Sequence, residues 1–413
     1  MGAVQDHQLY EQILGLQAPW RVKKVTLKRP AGEVEVEVET TETVWGCPQC
    51  QKRMHVHDWE QRRWRHLDSC QFKTILVANV PRVRCPEHGT VTVAVPWAEK
   101  FGRFTRLFER LAIDLMQECS VKAACEILRI SWDEADGIKQ RAVRRGLERR
   151  QAVPLPRICI DEKSAGRGHD YVTVVARVEA GQSATVWYVG DGRSGESLDG
   201  FWQELTEEQR TSIEAVAMDL WEPYFSSVLS HLDGAEEKIV HDPFHLVRHM
   251  NEAVDLVRRQ EHKKILRQND DRLTGTKYLW LRGEENLSED AREQFLSLRV
   301  QTLKTSRAWA IKEMFRDFWK SPDRDEGREF FKSWYGWAIR SRLQPVKKVA
   351  RMFKRHLKNM LTYFVHRLSN GPLEGLNNRI KGLVKKAYGY RSRSRFKIDI
   401  LFHLGGLDLY PSQ

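Results

Sequence analysis

The stretch Pro156-Arg157-Ile158-Cys159-Ile160-Asp161-Glu162-Lys163 constrains this fold more than any other: a short apolar run, bounded by Pro154 and Pro156, stops abruptly in acid. A run of this length and composition reads as a buried strand. Its end sets a carboxylate at the carboxyl edge of a sheet, where open α/β sheets form their sites.

The order of elements that follows is informative. Tyr171 to Val178 and Thr185 to Val189 read as two more strands, and Gly195 to Gln209 as one helix with Leu198, Phe201, Trp202 and Leu205 inside. Ile213 to Met218 is another buried strand, and it too stops on an acid, Asp219. A helix from Pro223 to Leu232, a strand Lys238-Ile239-Val240 and a long helix opened by Asp242-Pro243-Phe244-His245 and running toward Leu266 complete the series. Three strands, then helix, strand, helix, strand, helix, is a ribonuclease H-like order. In such a sheet the first and fourth strands are neighbours, so Asp161 and Asp219 face one site. Side-chain alternation sends Glu162 to the opposite face and favours Asp161.

Residues 267–369 read as helical throughout and carry Trp280, Trp309, Trp319, Trp334 and Trp337, more in keeping with a helical core than with stacking platforms. A third acid arrives late, in Asn370-Gly371-Pro372-Leu373-Glu374-Gly375-Leu376-Asn377-Asn378-Arg379-Ile380-Lys381. Proline in the first turn starts a helix whose buried stripe is Leu373, Leu376, Ile380, Leu383 and Ala387. A second stripe aligns Glu374 with Asn377/Asn378, Lys381 and Lys385, as a metal ligand beside phosphate contacts requires. The helix runs on to Lys386, and Tyr388 to Arg395, with Arg391, Arg393 and Arg395, reads as a basic, aromatic loop suited to a DNA backbone. From Ser341 to Lys397 there are 16 Lys and Arg against one acid, Glu374, in a chain of net charge +12. That concentration of charge points to a polyanionic partner.

Upstream, Cys47-Pro48-Gln49-Cys50 and Cys85-Pro86-Glu87-His88 are two knuckles of the kind that converge on tetrahedral zinc. The 34 residues between them are a long gap, and Cys70, His55, His57 and His66 are alternative ligands. With no open position the zinc would be structural. Phe104, Leu107, Phe108, Leu111 and Leu115 have helical spacing, Val121 to Leu128 forms a second helix, and a third follows Ser131, its far end basic through Lys139, Arg141, Arg144, Arg145, Arg149 and Arg150. A short helix, a turn and a basic helix fit helix-turn-helix docking in a major groove; three-helix packing without DNA fits as well.

No Ser-His-Asp or Cys-His arrangement competes, and Gly190-Asp191-Gly192 and Gly166-Arg167-Gly168 are isolated turns rather than nucleotide loops. Phosphoryl transfer on DNA needs few side chains beyond acids that place two divalent ions about 3.5–4 Å apart, and Mg²⁺ or Mn²⁺ prefers carboxylate oxygen. Three acids suffice. Seven cysteines without an export signal, and no apolar run near the length of a membrane span, point to a cytoplasmic protein without disulfides.

Ile160-Asp161-Glu162, Met218-Asp219-Leu220-Trp221, Asp242-Pro243-Phe244-His245 and Glu374-Gly375-Leu376-Asn377-Asn378 resemble the motifs of bacterial insertion-sequence transposases of the DDE class. Within that class they resemble more closely the family with an N-terminal zinc finger, a helix-turn-helix and a helical insertion before the last acid. The resemblance spans Cys47 to about Phe402. It implies metal-dependent strand cleavage and strand transfer at terminal inverted repeats, with Asp161, Asp219 and Glu374 as catalytic triad and magnesium ligands. Asp242, His245 and Asn378 would support them. Arg141, Arg144, Arg145, Lys381, Lys385, Lys386, Arg391, Arg393 and Arg395 would hold transposon ends and target DNA. It also implies a homodimer or higher on double-stranded DNA at the bacterial nucleoid, with no membrane partner.

The expected domains are a zinc-binding domain over 1–98, a helix-turn-helix over 99–152, an α/β ribonuclease H-like core over 153–266 and 370–413, and an all-α insertion over 267–369. A catalytically silent DNA-binding regulator derived from a transposase, and a nuclease that cuts without joining, are the competing readings.

Overall fold

A computed structural model describes residues 6–166, 170–179, 183–301 and 303–412. Arg167 and Gly168 of the second glycine turn therefore lie outside the described residues. The chain divides into two compact units, Met1–Arg150 with Leu407–Gln413, and Gln151–Gly406.

The first unit opens with helix α1 (Asp6–Leu14) and strands β1 (Trp20–Lys28), β2 (Glu33–Thr40), β3 (Val44–Gly46), β4 (Arg53–Ser69), β5 (Phe72–Cys85) and β6 (Gly89–Thr92), sheet order β1-β2-β5-β4-β3 with β6 on β5. The valine-glutamate alternation of β2 buries Val34, Val36 and Val38 and leaves the glutamates half-exposed. Trp20, Trp64 and Trp97 close the core, Trp97 edge-on to both of the others.

Helices α2 (Arg106–Glu118), α3 (Val121–Leu128) and α4 (Trp132–Glu148) follow. Each begins on a hydroxyl cap: Thr105 Oγ1 accepts from the Phe108 N–H, Ser120 Oγ from Ala123, and Ser131 forms a capping box with Glu134. The buried face of α2 differs from the expected one. Phe104 and Phe108 are inside, but Leu107 and Leu111 are 45% and 40% exposed, and Glu109, Ala112, Ile113 and Met116 are buried instead. The cause is Glu109, which is 2% exposed and accepts hydrogen bonds from Arg141 and Arg145 of α4; apolar spacing alone does not register an ion pair facing inward. The last seven residues, expected in the core over 370–413, also belong to this unit. Arg149 donates to Asp408 Oδ2, and the Tyr410 hydroxyl donates to Asp114 Oδ1 at 2.6 Å.

The second unit is built on strands β7 (Arg157–Ser164), β8 (Tyr171–Val178) and β9 (Ala184–Asp191), helices α5 (Glu196–Glu204) and α6 (Glu207–Thr211), strand β10 (Ala215–Met218), helices α7 (Glu222–His231) and α8 (Ala235–Lys238), strand β11 (Ile239–His241) and helix α9 (Pro243–Leu266). The sheet runs β11-β10-β7-β8-β9, with β7, β8 and β9 antiparallel and β10 and β11 parallel to β7. The helix expected over Gly195 to Gln209 is two helices. Leu205 turns extended, and Thr206 caps α6 in a capping box with Gln209.

The all-helical segment comprises α10 (Lys277–Leu281), α11 (Glu289–Arg299), α12 (Lys304–Asp317), α13 (Arg324–Arg340), α14 (Gln344–Arg355), α15 (Leu357–Leu361) and α16 (Tyr363–His366). It has its own core, in which Trp280, Trp309 and Trp334 are buried with Phe295, Phe315 and Phe353. Helices α17 (Gly371–Lys386) and α18 (Arg393–Leu404) then return to the sheet. Leu373, Leu376, Ile380, Phe396 and Ile400 cover one face through Cys159, Val174 and Ala176. Leu198, Phe201, Trp202 and Tyr224 of α5 and α7 cover the other through Ile158, Ile160 and Val175. Among the described residues no helix is long and apolar enough to cross a membrane.

Candidate active site

The register of two parallel strands assembles the site. Met218 of β10 pairs with Ile160 of β7, so Asp161 and Asp219 each stand one residue beyond the last paired rung. Ligand oxygens of Asp161, Glu162 and Asp219 all lie within 4.8 Å of one another. Glu162 leaves β7 on the face of Ile160, as alternation requires, yet its carboxylate joins the cluster. β10 ends at Met218, so on that side no strand lies beside Glu162, although β8 still pairs with it on the other; the expectation that Glu162 points away from the site is corrected.

Asp161 is 8% exposed and fully engaged. Its Oδ2 accepts from Asn377 Nδ2 at 2.7 Å and lies 3.2 Å from Lys163 Nζ, and its Oδ1 accepts the Glu162 N–H at 2.8 Å. Asp242, at the end of β11, accepts the Asn370 backbone N–H on Oδ1 at 3.1 Å and faces His245 Nδ1 with Oδ2 at 3.5 Å. That imidazole Nδ1 also contacts Asp219 Oδ1, and Arg248 stands 3.7 Å from Asp219 Oδ2. Burial, with the Asp161 charge adding to it, pushes the Glu162 carboxyl up, and burial raises Asp242 as well. Burial, reinforced by Arg248, holds His245 down to about 4, so its ring is neutral at physiological pH.

A cavity of about 410 Å³ opens beside Asp161, lined with it by Lys163, Asp242, His245, Asn370, Glu374, Asn377 and Lys381. Glu374 sits exposed in the first turn of α17, on the wall of this cavity and outside the three-carboxylate cluster. Asn377 is buried and touches Asp161, whereas Asn378, the amide expected to support the site, is exposed. Sequence spacing placed both amides on one stripe, and only the helix's rotation against β7 separates them. Lys163 and Asn370 were also missed as site residues; Lys163 follows the strand-end acids directly, which was the available signal.

The donor set fits a hard divalent cation: three carboxylates with their oxygens gathered, of which Asp161 opens onto the cavity. Asn377 Oδ1 and both side-chain polar atoms of Asn370 are buried without a hydrogen-bond partner among the described residues. Such orphans suit a hydrated ion or phosphate oxygens more than an apolar ligand.

Of the basic residues around α17 and α18, Lys381, Lys385 and Arg391 are exposed and Lys386 projects from the last turn of α17. The expected loop is shorter than its sequence implies, since Ser392 caps α18 and takes Arg393 and Arg395 into its first turn. Arg393 is engaged by Asp170 at 2.6 Å. In the first unit Arg144 stays exposed, but Arg141 and Arg145 are taken up by Glu109, and Arg145 also by Glu99 at 3.3 Å. Arg145, 6% exposed, is a correction: it stabilises the three-helix packing instead of reaching a phosphate.

Cys47, Cys50, Cys85 and His88 converge in the same unit. Cys47 Sγ is 3.8 Å from His88 Nδ1, Cys50 Sγ 3.6 Å from Cys85 Sγ, and Cys85 Sγ 3.4 Å from His88 Nδ1. Tetrahedral bonds of about 2.0–2.3 Å require ligand separations of about 3.4–3.8 Å, so the four groups fit a structural zinc ion. Burial opposes ionisation of Cys85, but N–H groups of Glu87 and His88 and the His88 ring outweigh it and bring the thiol to about 6. The alternatives lie elsewhere: His55, His57 and Cys70 are exposed, and His66 is buried against Thr105 Oγ1.

Comparison with known proteins gives three family matches in chain order. Residues 43–88 match the zinc finger of transposases of the IS204/IS1001/IS1096/IS1165 group, residues 93–143 the helix-turn-helix domain of transposase family ISL3, and residues 158–400 the transposase domain of the DDE class in that family. The transposase for insertion sequence element IS1557 of Mycobacterium tuberculosis is 30% identical over 373 residues, covering 84% of this chain and 82% of that protein. The transposase for IS1001 of Bordetella parapertussis is 27% identical over 406 residues, 96% of this chain and 97% of its own.

Proposed function

The chain belongs to the ISL3 family of insertion-sequence transposases, and from that premise we propose that Asp161, Asp219 and Glu374 carry its DNA strand chemistry. It is an enzyme of DNA phosphoryl transfer with a structural zinc ion and a helix-turn-helix for DNA. The supporting observation is the β7–β10 register, which brings Asp161 and Asp219 within 4.8 Å of each other, while Glu374 lines a cavity with Asp161. The five-stranded order, three antiparallel strands followed by two parallel ones, supports a ribonuclease H-like core.

Asp161, Asp219 and Glu374 would hold divalent cations, which when bound supply Lewis-acid polarisation of the phosphoryl group and of the attacking oxygen. The chain's own residues do the rest. Asn377 and Lys163 fix the Asp161 carboxylate from two directions, so its oxygens hold one orientation as substrate arrives. Neutral His245 and Arg248 orient Asp219, while Asp242 ties the start of α9 to Asn370 beside the first turn of α17. Lys381, on the cavity wall one helical stripe from Glu374, meets the phosphate backbone.

The substrate on this reading is the terminal inverted repeat of an insertion sequence. Two such ends must be held together for strand transfer, so the working form is at least a dimer on DNA, at the bacterial nucleoid. Acids intact on both strands and on α17 favour this over a catalytically silent regulator. The test uses purified protein, Mg²⁺ or Mn²⁺, and labelled duplexes from the DNA flanking its gene. Wild type cleaves and joins; Asp161→Asn binds ends without product. Product from Asp161→Asn, or metal-independent binding with no product from wild type, sinks the assignment.

A further inference from the structure

Many cations of the helical segment, and of α9 before it, stand in ion pairs, whereas those of one helix do not. Arg258 is held by Asp255 at 2.8 Å, Arg299 by Glu284 at 2.7 Å, Arg316 by Glu285 at 2.6 Å and Arg328 by Asp325 at 2.6 Å. Helix α14 is different. It contains no acid, and none occurs anywhere from Phe330 to Leu373. Its Lys348, Arg351, Lys354 and Arg355 are exposed, and among the described residues no carboxylate lies within 4.0 Å of them.

The scaffold under these cations is rigid. Val346, Ala350 and Phe353 form the buried stripe of α14, and Phe353 stacks on Phe315 at 4.8 Å and on Trp334 at 5.9 Å. The opposite side of α14 lines a groove of about 600 Å³ with Tyr335 of α13, whose ring carries Lys354 Nζ at 5.0 Å. Like charges at i, i+3 and i, i+4 repel along a helix, so an uncompensated row needs a counter-charge from outside. Lys348, Arg351 and Arg355 span about 10 Å of helix, roughly the length of three nucleotides of one strand in a duplex.

We infer that the α13–α14 groove, through Lys348, Arg351, Lys354, Arg355 and Tyr335, is a second DNA site that holds the phosphate backbone of duplex DNA without reading its sequence. Three features distinguish it from a small-anion pocket. The cations form an open row, they are all exposed, and no buried donor closes around a single ligand. The insertion thereby becomes a clamp on the duplex. This rests on the reading of the chain as a DNA-strand-transfer enzyme, but adds a surface on other elements than those that carry Asp161, Asp219 and Glu374.

The test titrates the full-length protein against a labelled duplex carrying its terminal repeat and flank, and against a scrambled duplex, over a range of salt. Lys348→Ala/Arg351→Ala/Arg355→Ala should weaken both by ~10- to 100-fold and flatten the slope of log affinity against log salt by roughly 2–3, one phosphate contact per cation. Lys348→Arg/Arg351→Lys/Arg355→Lys, which keeps the charge, should bind as wild type. So should Arg292→Ala/Arg299→Ala/Arg328→Ala, which removes paired cations of the same insertion. Unchanged affinity and slope in the first variant, or equal weakening in the third, overturns the groove. Cleavage with Mg²⁺ is scored alongside. Wild type that binds and cuts while the first variant binds equally well refutes the groove alone. Wild type that binds without cutting refutes the catalytic assignment, and the slopes still decide the groove. Failure of wild type to bind any duplex overturns both.

Discussion

Asn377 donates its side-chain amide to Asp161 Oδ2 at 2.7 Å, joining helix α17 to strand β7 across 216 residues of chain. The same helix presents Glu374 to the cavity one turn earlier, so the contact fixes how the third acid stands relative to the first. Asn377→Ala should lower strand cleavage by ~10- to 100-fold and raise the Mg²⁺ concentration for half-maximal rate, with DNA binding intact, as expected of a partner that orients a metal ligand. Cleavage rates against Mg²⁺ concentration check this; an unchanged metal dependence would reduce Asn377 to a packing residue.

Glu162 shares the rim with Asp161 and Asp219, but leaves β7 on the other face. Glu162→Gln should cost less than ~10-fold in cleavage, against ~10³-fold or more for Asp161→Asn, since only the latter removes a proposed ligand on the cavity side. Side-by-side cleavage assays decide it; equal losses would make Glu162 a ligand in its own right.

Removing zinc should unfold the module that carries it. Binding to structural zinc sites contributes about 10–16 kcal/mol of apparent free energy in small domains, so Cys50→Ser or a strong chelator should abolish end-specific binding. Zinc content by atomic absorption, together with proteolysis, reports the outcome. The second unit, with its own cores, should survive digestion.

Glu109 and Arg144 separate structure from DNA contact on neighbouring helices. Glu109→Gln leaves Arg141 and Arg145 without their carboxylate and should destabilise the N-terminal unit by ~3 kcal/mol. Arg144→Ala should change stability by less than about 0.5 kcal/mol, because its ion pair with Glu148 is exposed at 3.9 Å. It should instead lower DNA affinity and reduce the salt slope by roughly one. Chemical denaturation and salt-dependent titration measure the two effects.

His241 is fully buried between Phe225 and His356, and burial, with His356 adding to it, drops its pKa to about 3. A depressed histidine is neutral in the fold but charges in the unfolded chain below about 6.5, so the unfolded state binds the proton first. Its stabilisation is present above that value and is lost as pH falls toward 3, amounting to about 2 kcal/mol of lost stability at pH 5. His241→Phe should flatten the fall in unfolding free energy between pH 7 and 5. Parallel curves for mutant and wild type would contradict this.

The sequence alone determined which two strands carry the acids, the order of elements in the sheet, the two knuckles for zinc and the start of the third helix of the three-helix segment at Ser131. These are local facts: strand ends, knuckle spacing and Ser131 with Glu134 act within a few residues. Tertiary structure decided what depends on rotation and on partners distant in the chain. It chose Asn377 over Asn378, because α17 turns one amide toward β7 and leaves the other in solvent. It turned α2 so that Glu109, not Leu107 or Leu111, faces inward, because two guanidinium groups from α4 wait there. It brought Glu162 to the rim, because β10 stops opposite Ile160 and leaves Glu162 without a strand neighbour on that side.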